Sequence, residues 1–168
     1  MGSPSRTTMS NAGVMPTSAK PAAQLWAADT SVAIAAVDAS HTAHQICRSV
    51  VVERRPGLAG HAAFETYSVL TRMPGALAVD SSTASTLLDR LFPVVHWLDA
   101  DEIQPLLARL GQVGIVGGAV YDALVGEAAR TNRCTLLTRD RRAKRTYDLL
   151  GVTYEFVGDD LGATRARP

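Results

Sequence analysis

Short apolar runs alternate with longer amphipathic stretches through most of this chain. Runs typical of buried strands lie at 24–28, 58–61, 94–98, 134–138 and 152–157. The spacing, capping residues and breakers predict helices at 31–37, 41–53, 62–72, 81–92, 99–111, 119–131 and 141–150. Short strands alternating with helices are typical of an α/β fold in which helices cover both faces of a parallel sheet. We therefore predict a central parallel sheet of about five short strands flanked by helices.

The first 22 residues do not share this periodicity. They are rich in Ser, Thr, Pro, Ala and Gly, and we interpret residues 1–22 as a flexible tail before a single domain at 23–168. This tail lacks the basic start and continuous apolar core of a secretory signal. No apolar run approaches the roughly 20 residues that a membrane span needs. We expect a cytoplasmic protein with no membrane partner.

Composition narrows the class of protein only moderately. The 168 residues are 46% hydrophobic and 20% charged, as in a soluble domain with a real core. The net charge of +1 indicates that any nucleic-acid site must be a local patch. Cys47 and Cys134 lie in apolar stretches outside any metal-binding pattern, so we interpret them as buried free thiols.

Acidic residues follow the predicted strands at the same edge of the sheet. Asp29 and Asp140 come after apolar strands, whereas Glu65 and Asp122 lie in the first turns of helices. Ligands of open α/β sheets bind beyond the carboxyl ends of the strands. Each residue alone could be a helix cap or could interact with a helix dipole. Four carboxylates at one edge repel each other unless a divalent cation lies among them, which favours one site for Mg²⁺ or Mn²⁺.

Four segments that contain these acids resemble the signature segments of PIN-domain ribonucleases. The segments are Ala-Asp-Thr-Ser at 28–31, Glu-Thr-Tyr-Ser-Val-Leu-Thr-Arg at 65–72, Tyr-Asp-Ala-Leu at 121–124 and Leu-Leu-Thr-Arg-Asp at 136–140. They occur in the family's order, and the resemblance extends from about residue 25 to 157. The chain is most similar to the VapC-type toxins of bacterial toxin–antitoxin pairs, which are single PIN domains of about this size.

The resemblance implies a function and a set of site residues. The catalytic and metal-binding quartet is Asp29, Glu65, Asp122 and Asp140. Ser31 and Thr138 match the hydroxyl positions that hydrogen-bond near the site. The implied activity is Mg²⁺- or Mn²⁺-dependent hydrolysis of RNA by an endoribonuclease that leaves 5′-phosphate and 3′-hydroxyl ends. The implied partners are a cognate antitoxin, an RNA substrate and a second copy of the chain.

A run of basic residues brackets the last acid. Arg139, Arg141, Arg142 and Lys144 are candidates for binding RNA phosphates beside the carboxylates. The alternative is an ordinary solvated helix face with local ion pairs. The glycines between 111 and 118 do not match a phosphate-binding motif, and we expect a mobile loop there.

Two further patterns receive structural interpretations. Asp38, His41 and His44 are spaced three apart, which on one helix could resemble a metal site; we favour a cap followed by two polar helix residues. The aromatic residues are too scattered along the chain to predict a base-stacking platform, so we assign Trp26, Trp97, Tyr121 and Tyr154 to core or partner contacts.

Other functional classes fit the sequence less well. A phosphatase of the haloacid dehalogenase type needs a second Asp two positions after the first, where this chain has Ser31. A receiver-like module needs paired acids after the first strand and a late Lys, and neither is evident. The remaining alternative is a degenerate PIN-like module that binds RNA or protein without catalysis.

Overall fold

Five parallel strands form the centre of the computed structural model, which describes residues 24–74 and 79–158. In chain order they are β1 Leu25–Ala28, β2 Gly57–Ala59, β3 Val95–His96, β4 Cys134–Thr138 and β5 Tyr154–Phe156. Their spatial order is β3-β2-β1-β4-β5, and every pair is parallel. The predicted α/β architecture with a central parallel sheet is confirmed. The proposed tail at 1–22 lies outside the described residues.

Within the described ranges, seven helices cover the two faces of this sheet. They are α1 Thr30–Val37, α2 His44–Arg54, α3 Ala62–Arg72, α4 Ser81–Leu91, α5 Ala100–Val113, α6 Ala119–Thr131 and α7 Lys144–Leu150. Successive residues of a strand point to opposite faces, so Leu136 belongs to the core beneath α5, α6 and α7 while Leu137 belongs to the core beneath α1 to α4. Both leucines are fully buried. No helix in the described ranges has the length and hydrophobicity needed to cross a membrane.

The position of β1 decides where the site forms. It pairs with β4 on one side, with Ala28 opposite Leu137, and with β2 on the other, with Ala28 opposite Leu58. Ala28 is fully buried, which suits a central strand that is covered on both faces. The carboxyl ends of β1 and β4 therefore lie side by side, although their residues are far apart in sequence.

Several element boundaries differ from the predictions. The second helix begins at His44 instead of residue 41, because the Asp38 carboxylate accepts hydrogen bonds from Ser40 and stabilises a turn after α1. The second strand ends at Ala59, since Gly60 adopts a positive φ of 46° that begins the turn into α3. Strands β3 and β5 are likewise shorter than the apolar runs that predicted them.

The predicted glycine loop is shorter than expected. Gly111 lies inside α5, which continues to Val113. The helix ends at Gly114, whose φ of 70° is the left-handed conformation common just after helix C-termini. Only residues 114–118 connect α5 to α6.

The last helix also begins later than predicted. It starts at Lys144 instead of residue 141, so Arg141 and Arg142 lie in the turn after β4. The basic run is thus mostly a loop feature. Cys47 and Cys134 are buried free thiols, as predicted.

Candidate active site

Asp29 is the most constrained acidic side chain of the site. It follows β1 directly and is the N-cap of α1, where its Oδ1 accepts from the backbone N–H of Val32 at 3.0 Å and from Ser31 Oγ at 2.6 Å. Its Oδ2 accepts from Thr138 Oγ1 at 2.5 Å. The residue is only 5% exposed, and this burial raises its pKa to about 6 despite the three hydrogen bonds.

The two hydroxyl groups connect Asp29 to the end of β4. Ser31 Oγ accepts from the backbone N–H of Arg139 at 2.7 Å, and Thr138 Oγ1 accepts from the backbone N–H of Asp140 at 3.0 Å. Each hydroxyl therefore donates to the carboxylate and accepts from the neighbouring chain segment. Because each hydroxyl group makes both hydrogen bonds, the Asp29 side chain is held in one rotamer relative to the backbone of Asp140.

Asp140 lies in the turn after β4 and is held by one arginine. Its Oδ1 accepts from the backbone N–H of Arg142 at 2.8 Å and from Nε at 3.1 Å, while its Oδ2 accepts from Nη2 at 3.0 Å. These bonds lower the pKa of Asp140. The side chain of Arg142 is 92% exposed, so this contact can open without disturbing the core.

Glu65 and Asp122 reach the same region from the first turns of α3 and α6. Thr30 Oγ1 donates to Glu65 Oε2 at 2.7 Å, which connects α3 to the start of α1 beside Asp29. The pKa of Asp122 is raised, first by burial and then by the negative charges of Asp140 and Glu65. Glu65, Asp122 and Asp140 are therefore close enough for their charges to interact, and the charge of Asp140 also raises the pKa of Asp29 slightly.

An open cleft of about 780 Å³ lies over these acids. The residues that line it are His61, Phe64, Glu65, Ser68, Gly118, Tyr121, Asp122, Asp140 and Arg142. Asp29 is absent from this lining and is held next to the cleft through Thr138, which contacts both Asp29 and the backbone of Asp140. A neighbouring hollow of about 510 Å³ shares Asp140 and Arg142 with the cleft.

The donor set suits a hard divalent cation, although the side chains are not arranged around one. In the described ranges no three His, Cys, Asp or Glu side chains are close enough together to enclose a metal ion. The cleft nevertheless offers carboxylate oxygens, which Mg²⁺ and Mn²⁺ prefer. The pKa of Asp122 is raised first by burial and then by the negative charges of Asp140 and Glu65, and a cation would relieve this second contribution.

The other basic candidates have separate surroundings. Arg139 Nη1 donates to the Val157 carbonyl, and the Arg141 guanidinium lies 5.1 Å from the ring centroid of Phe156. Both arginines line the neighbouring hollow together with Arg142. Lys144 forms an i,i+4 ion pair with Asp148 on α7, as the alternative of a solvated helix face predicted. RNA binding by these residues stays a prediction.

The histidines that follow Asp38 have structural roles. His41 lies before α2, where its Nδ1 accepts from the backbone N–H of Ala43 at 3.0 Å. His44 Nδ1 is 3.1 Å from the Ala35 carbonyl oxygen. The predicted cap followed by two polar helix residues is confirmed for Asp38 and for His44, which begins α2, whereas His41 lies outside the helix that we had assigned to it.

Two exposed aromatic side chains line the acidic cleft, and one of them, Tyr121, is among the residues that we assigned to core or partner contacts. Tyr121 stacks on His61 with ring centroids 5.3 Å apart, and Phe64 packs on Trp97 at 5.4 Å. Tyr121 and Phe64 are 58% and 63% exposed, and both line the acidic cleft. A signal was present in the sequence, because Phe64 and Tyr121 each immediately precede a quartet acid at the start of a helix.

Comparisons with known proteins define the class to which this fold and site belong. The family model described as "PIN domain" matches residues 27–149. The chain is thus a member of the PIN-domain family, as the sequence resemblance indicated.

Two relatives from Mycobacterium tuberculosis are more specific. "Ribonuclease VapC27" of strain H37Rv is 46% identical over 126 residues, which cover 75% of this chain and 92% of that protein. "Ribonuclease VapC40", in strains CDC 1551 and H37Rv, is 39% identical over 136 residues, which cover 78% of this chain and 98% of that protein. Within the family, the chain is of the VapC type.

Proposed function

We propose that this chain is the toxin component of a type II toxin–antitoxin pair and acts as a divalent-metal-dependent endoribonuclease. One observation carries this proposal: Glu65, Asp122 and Asp140 share an open cleft, and a chain of hydrogen bonds connects the buried Asp29 to it. The relatives named "Ribonuclease VapC27" and "Ribonuclease VapC40" support the assignment.

The metal-holding residues in this proposal are Asp29, Glu65, Asp122 and Asp140. A bound Mg²⁺ or Mn²⁺ supplies a more acidic water and stabilises charge that develops on the phosphate oxygens. Asp122 or Asp140 would orient or deprotonate that water; in the free protein burial raises the pKa of Asp122, whereas the hydrogen bonds of Arg142 lower that of Asp140. The water would form a bond to phosphorus while the P–O3′ bond breaks, which leaves the 5′-phosphate and 3′-hydroxyl ends that the family resemblance implies.

The RNA backbone needs cations beside these carboxylates. Arg139, Arg141 and Arg142 line the hollow next to the cleft, and Arg142 lines both. In our proposal Arg142 leaves Asp140 for a phosphate oxygen when metal and RNA bind. Such a contact adds affinity that falls with rising salt and carries no base information.

The partners follow from the same assignment. The VapC type implies a cognate antitoxin that keeps the nuclease inactive, and we also propose a homodimer. Since the RNA substrate and the antitoxin are made in the cytoplasm, we place the protein there. A degenerate module that binds RNA or protein without catalysis is the alternative.

Cleavage of total RNA tests the proposal. Purified protein is incubated with Mg²⁺ or Mn²⁺, or with chelator, alongside Asp122→Asn and the matched control Asp89→Asn, which changes an exposed carboxylate on α4. We expect metal-dependent cutting by the parent and the control that is lost in Asp122→Asn. The test then compares the growth of cells that express the parent, Asp122→Asn or Asp89→Asn. No cutting, together with growth that is unaffected by Asp122→Asn, would favour the degenerate module.

A further inference from the structure

We infer that Tyr121, supported by His61, is a base-stacking residue that holds one unpaired RNA base beside the carboxylates of the cleft. This inference rests on the proposed function, since it describes how the same cleft binds its RNA substrate. Stacking on an aromatic ring tolerates every base, because each base has a π-face. Tyr121 would therefore position the strand for cleavage without itself reading the sequence.

The first observation is the exposure of an aromatic ring that is stacked on a second ring. Tyr121 lies in the first turn of α6, and its ring is stacked on His61 at an interplanar angle of 23°. His61 covers one side of the tyrosine, yet 58% of the residue remains exposed. An aromatic side chain that is held in place while most of its surface meets solvent is preorganised to receive a flat ligand.

The second observation is the chemistry around the ring. Tyr121 directly precedes Asp122, and the cleft that both line also contains Arg142. Phe64, 63% exposed and adjacent to Glu65, lines the same cleft from α3. One cleft thus combines aromatic faces, a cation suited to phosphate and carboxylates suited to metal. A nucleotide is the ligand that uses all of these groups together.

A protein segment would fit a different surface better. The apolar groove of about 390 Å³ between α3, α4 and β3 is lined by Leu58, Leu88 and Phe92 and contains one carboxylate, Asp89. Tyr121 does not line that groove, whereas it lines the polar cleft. The position of Tyr121 therefore favours RNA over a peptide as its ligand.

The inference restricts the RNA structure that can bind in the cleft. A base inside a duplex is already stacked on both faces by its neighbours, so it can reach Tyr121 only by leaving the stack. The RNA must therefore be unpaired at the nucleotide that contacts Tyr121.

Binding measurements test the inference separately from catalysis. The assay follows the fluorescence anisotropy of labelled oligoadenylate, the same strand annealed to oligouridylate, and a strand with one abasic nucleotide. All proteins carry Asp122→Asn so that the RNA survives, and Mg²⁺ is present. The additional changes are Tyr121→Ala, Tyr121→Leu and Tyr121→Phe, with Tyr67→Ala as the control. Tyr67 is a partly exposed aromatic residue that lines the apolar groove.

We expect Tyr121→Ala and Tyr121→Leu to weaken binding of the single strand by roughly 5- to 150-fold, the range found for the loss of one stacked base. Tyr121→Phe keeps the ring and should bind within about twofold of its parent, as should Tyr67→Ala. The duplex should bind more weakly than the single strand, and an abasic nucleotide at the contacted position should remove the effect of Tyr121→Ala.

Three results would overturn the inference. The first is unchanged binding by Tyr121→Ala. The second is a loss for Tyr121→Phe as large as that for Tyr121→Ala, which would assign the effect to the hydroxyl group. The third is equal binding of duplex and single strand. Failure of the parent to cut RNA, with binding that still depends on the Tyr121 ring, would refute the proposed nuclease alone. Cutting that is intact while binding ignores the ring would refute this inference alone.

Discussion

Replacement of Asp29 by Asn should stabilise the protein at neutral and alkaline pH while it removes a residue of the proposed site. The carboxylate is 5% exposed, and burial raises its pKa from 3.8 to about 6. Ionisation of the folded protein is therefore disfavoured relative to the unfolded chain. Asn has nearly the same shape and carries no charge, so the variant should avoid the free-energy cost of burying an ionised carboxylate.

The direction of the pH dependence follows from proton binding. Between about pH 4 and about pH 6 the folded state keeps the Asp29 proton that the unfolded chain has released, so the free energy of unfolding falls as the pH rises through this window. At 1.36 kcal/mol per pKa unit, the difference between 3.8 and about 6 corresponds to about 3 kcal/mol above the window. Asn keeps only one accepting oxygen, so one of the hydroxyl groups of Ser31 and Thr138 faces the amide NH2 and loses the bond that it donates to Asp29, which offsets about 1 kcal/mol. The variant should therefore be about 2 kcal/mol more stable at about pH 8 and about 1 kcal/mol less stable at about pH 4.

Urea denaturation in chelator at several pH values measures this difference. Because other groups titrate in both proteins, the difference between parent and variant isolates Asp29. A gain of about 2 kcal/mol should raise Tm by roughly 4–8 °C. The exposed carboxylate of Asp89 supplies the control, since Asp89→Asn should change stability little at any pH. A parent-to-variant difference that stays constant from about pH 4 to about pH 8 would show that burial does not control this group.

Two further changes probe the cation beside the site and the packing of a helix. Arg142→Gln removes the guanidinium that bonds to both oxygens of Asp140. The Mg²⁺ concentration that gives half of the metal-induced rise in Tm should therefore fall a few-fold. An unchanged midpoint would mean that Arg142 does not compete with metal. Gly126→Ala should lower the free energy of unfolding in urea by about 1–3 kcal/mol, because its Cβ would lie within 3.0 Å of side chains from α7 and the segment that follows it. Gly111→Ala on α5 is the matched control, since a Cβ at this position meets nothing within 4 Å. This substitution should raise the free energy of unfolding by roughly 0.5–1 kcal/mol. Equal effects of the two alanines would contradict the packing argument.

Most of the fold was predictable because the hydrophobic pattern reports burial on both faces of a parallel sheet. The strand at Cys134–Thr138 is one such apolar run, and its predicted bounds match the structure. Boundaries that depend on local hydrogen bonds were less predictable. The start of α2 was placed three residues early, since the turn formed by Asp38 and Ser40 replaces the first helical turn.

The sequence was enough to predict that the four acids lie near one edge of the sheet, but it did not predict the contacts around them. Strand order places Asp29 and Asp140 at neighbouring strand ends, which topology rules anticipate. The clamp of Arg142 on Asp140 and the stacking of Tyr121 on His61 depend on the angles at which turns and helices meet. Linear spacing carries no information about such contacts.

The hydroxyl link between Thr138 and Asp29 has a consequence for how the protein is synthesised. These side chains are hydrogen-bonded although 109 positions separate them along the chain. Contacts of such long range close late in folding, since the loop between them must first lose its entropy. A nascent chain that ends before β4 has neither Thr138 nor Asp140 and cannot assemble the cleft. The cleft can therefore form only after translation has passed Asp140.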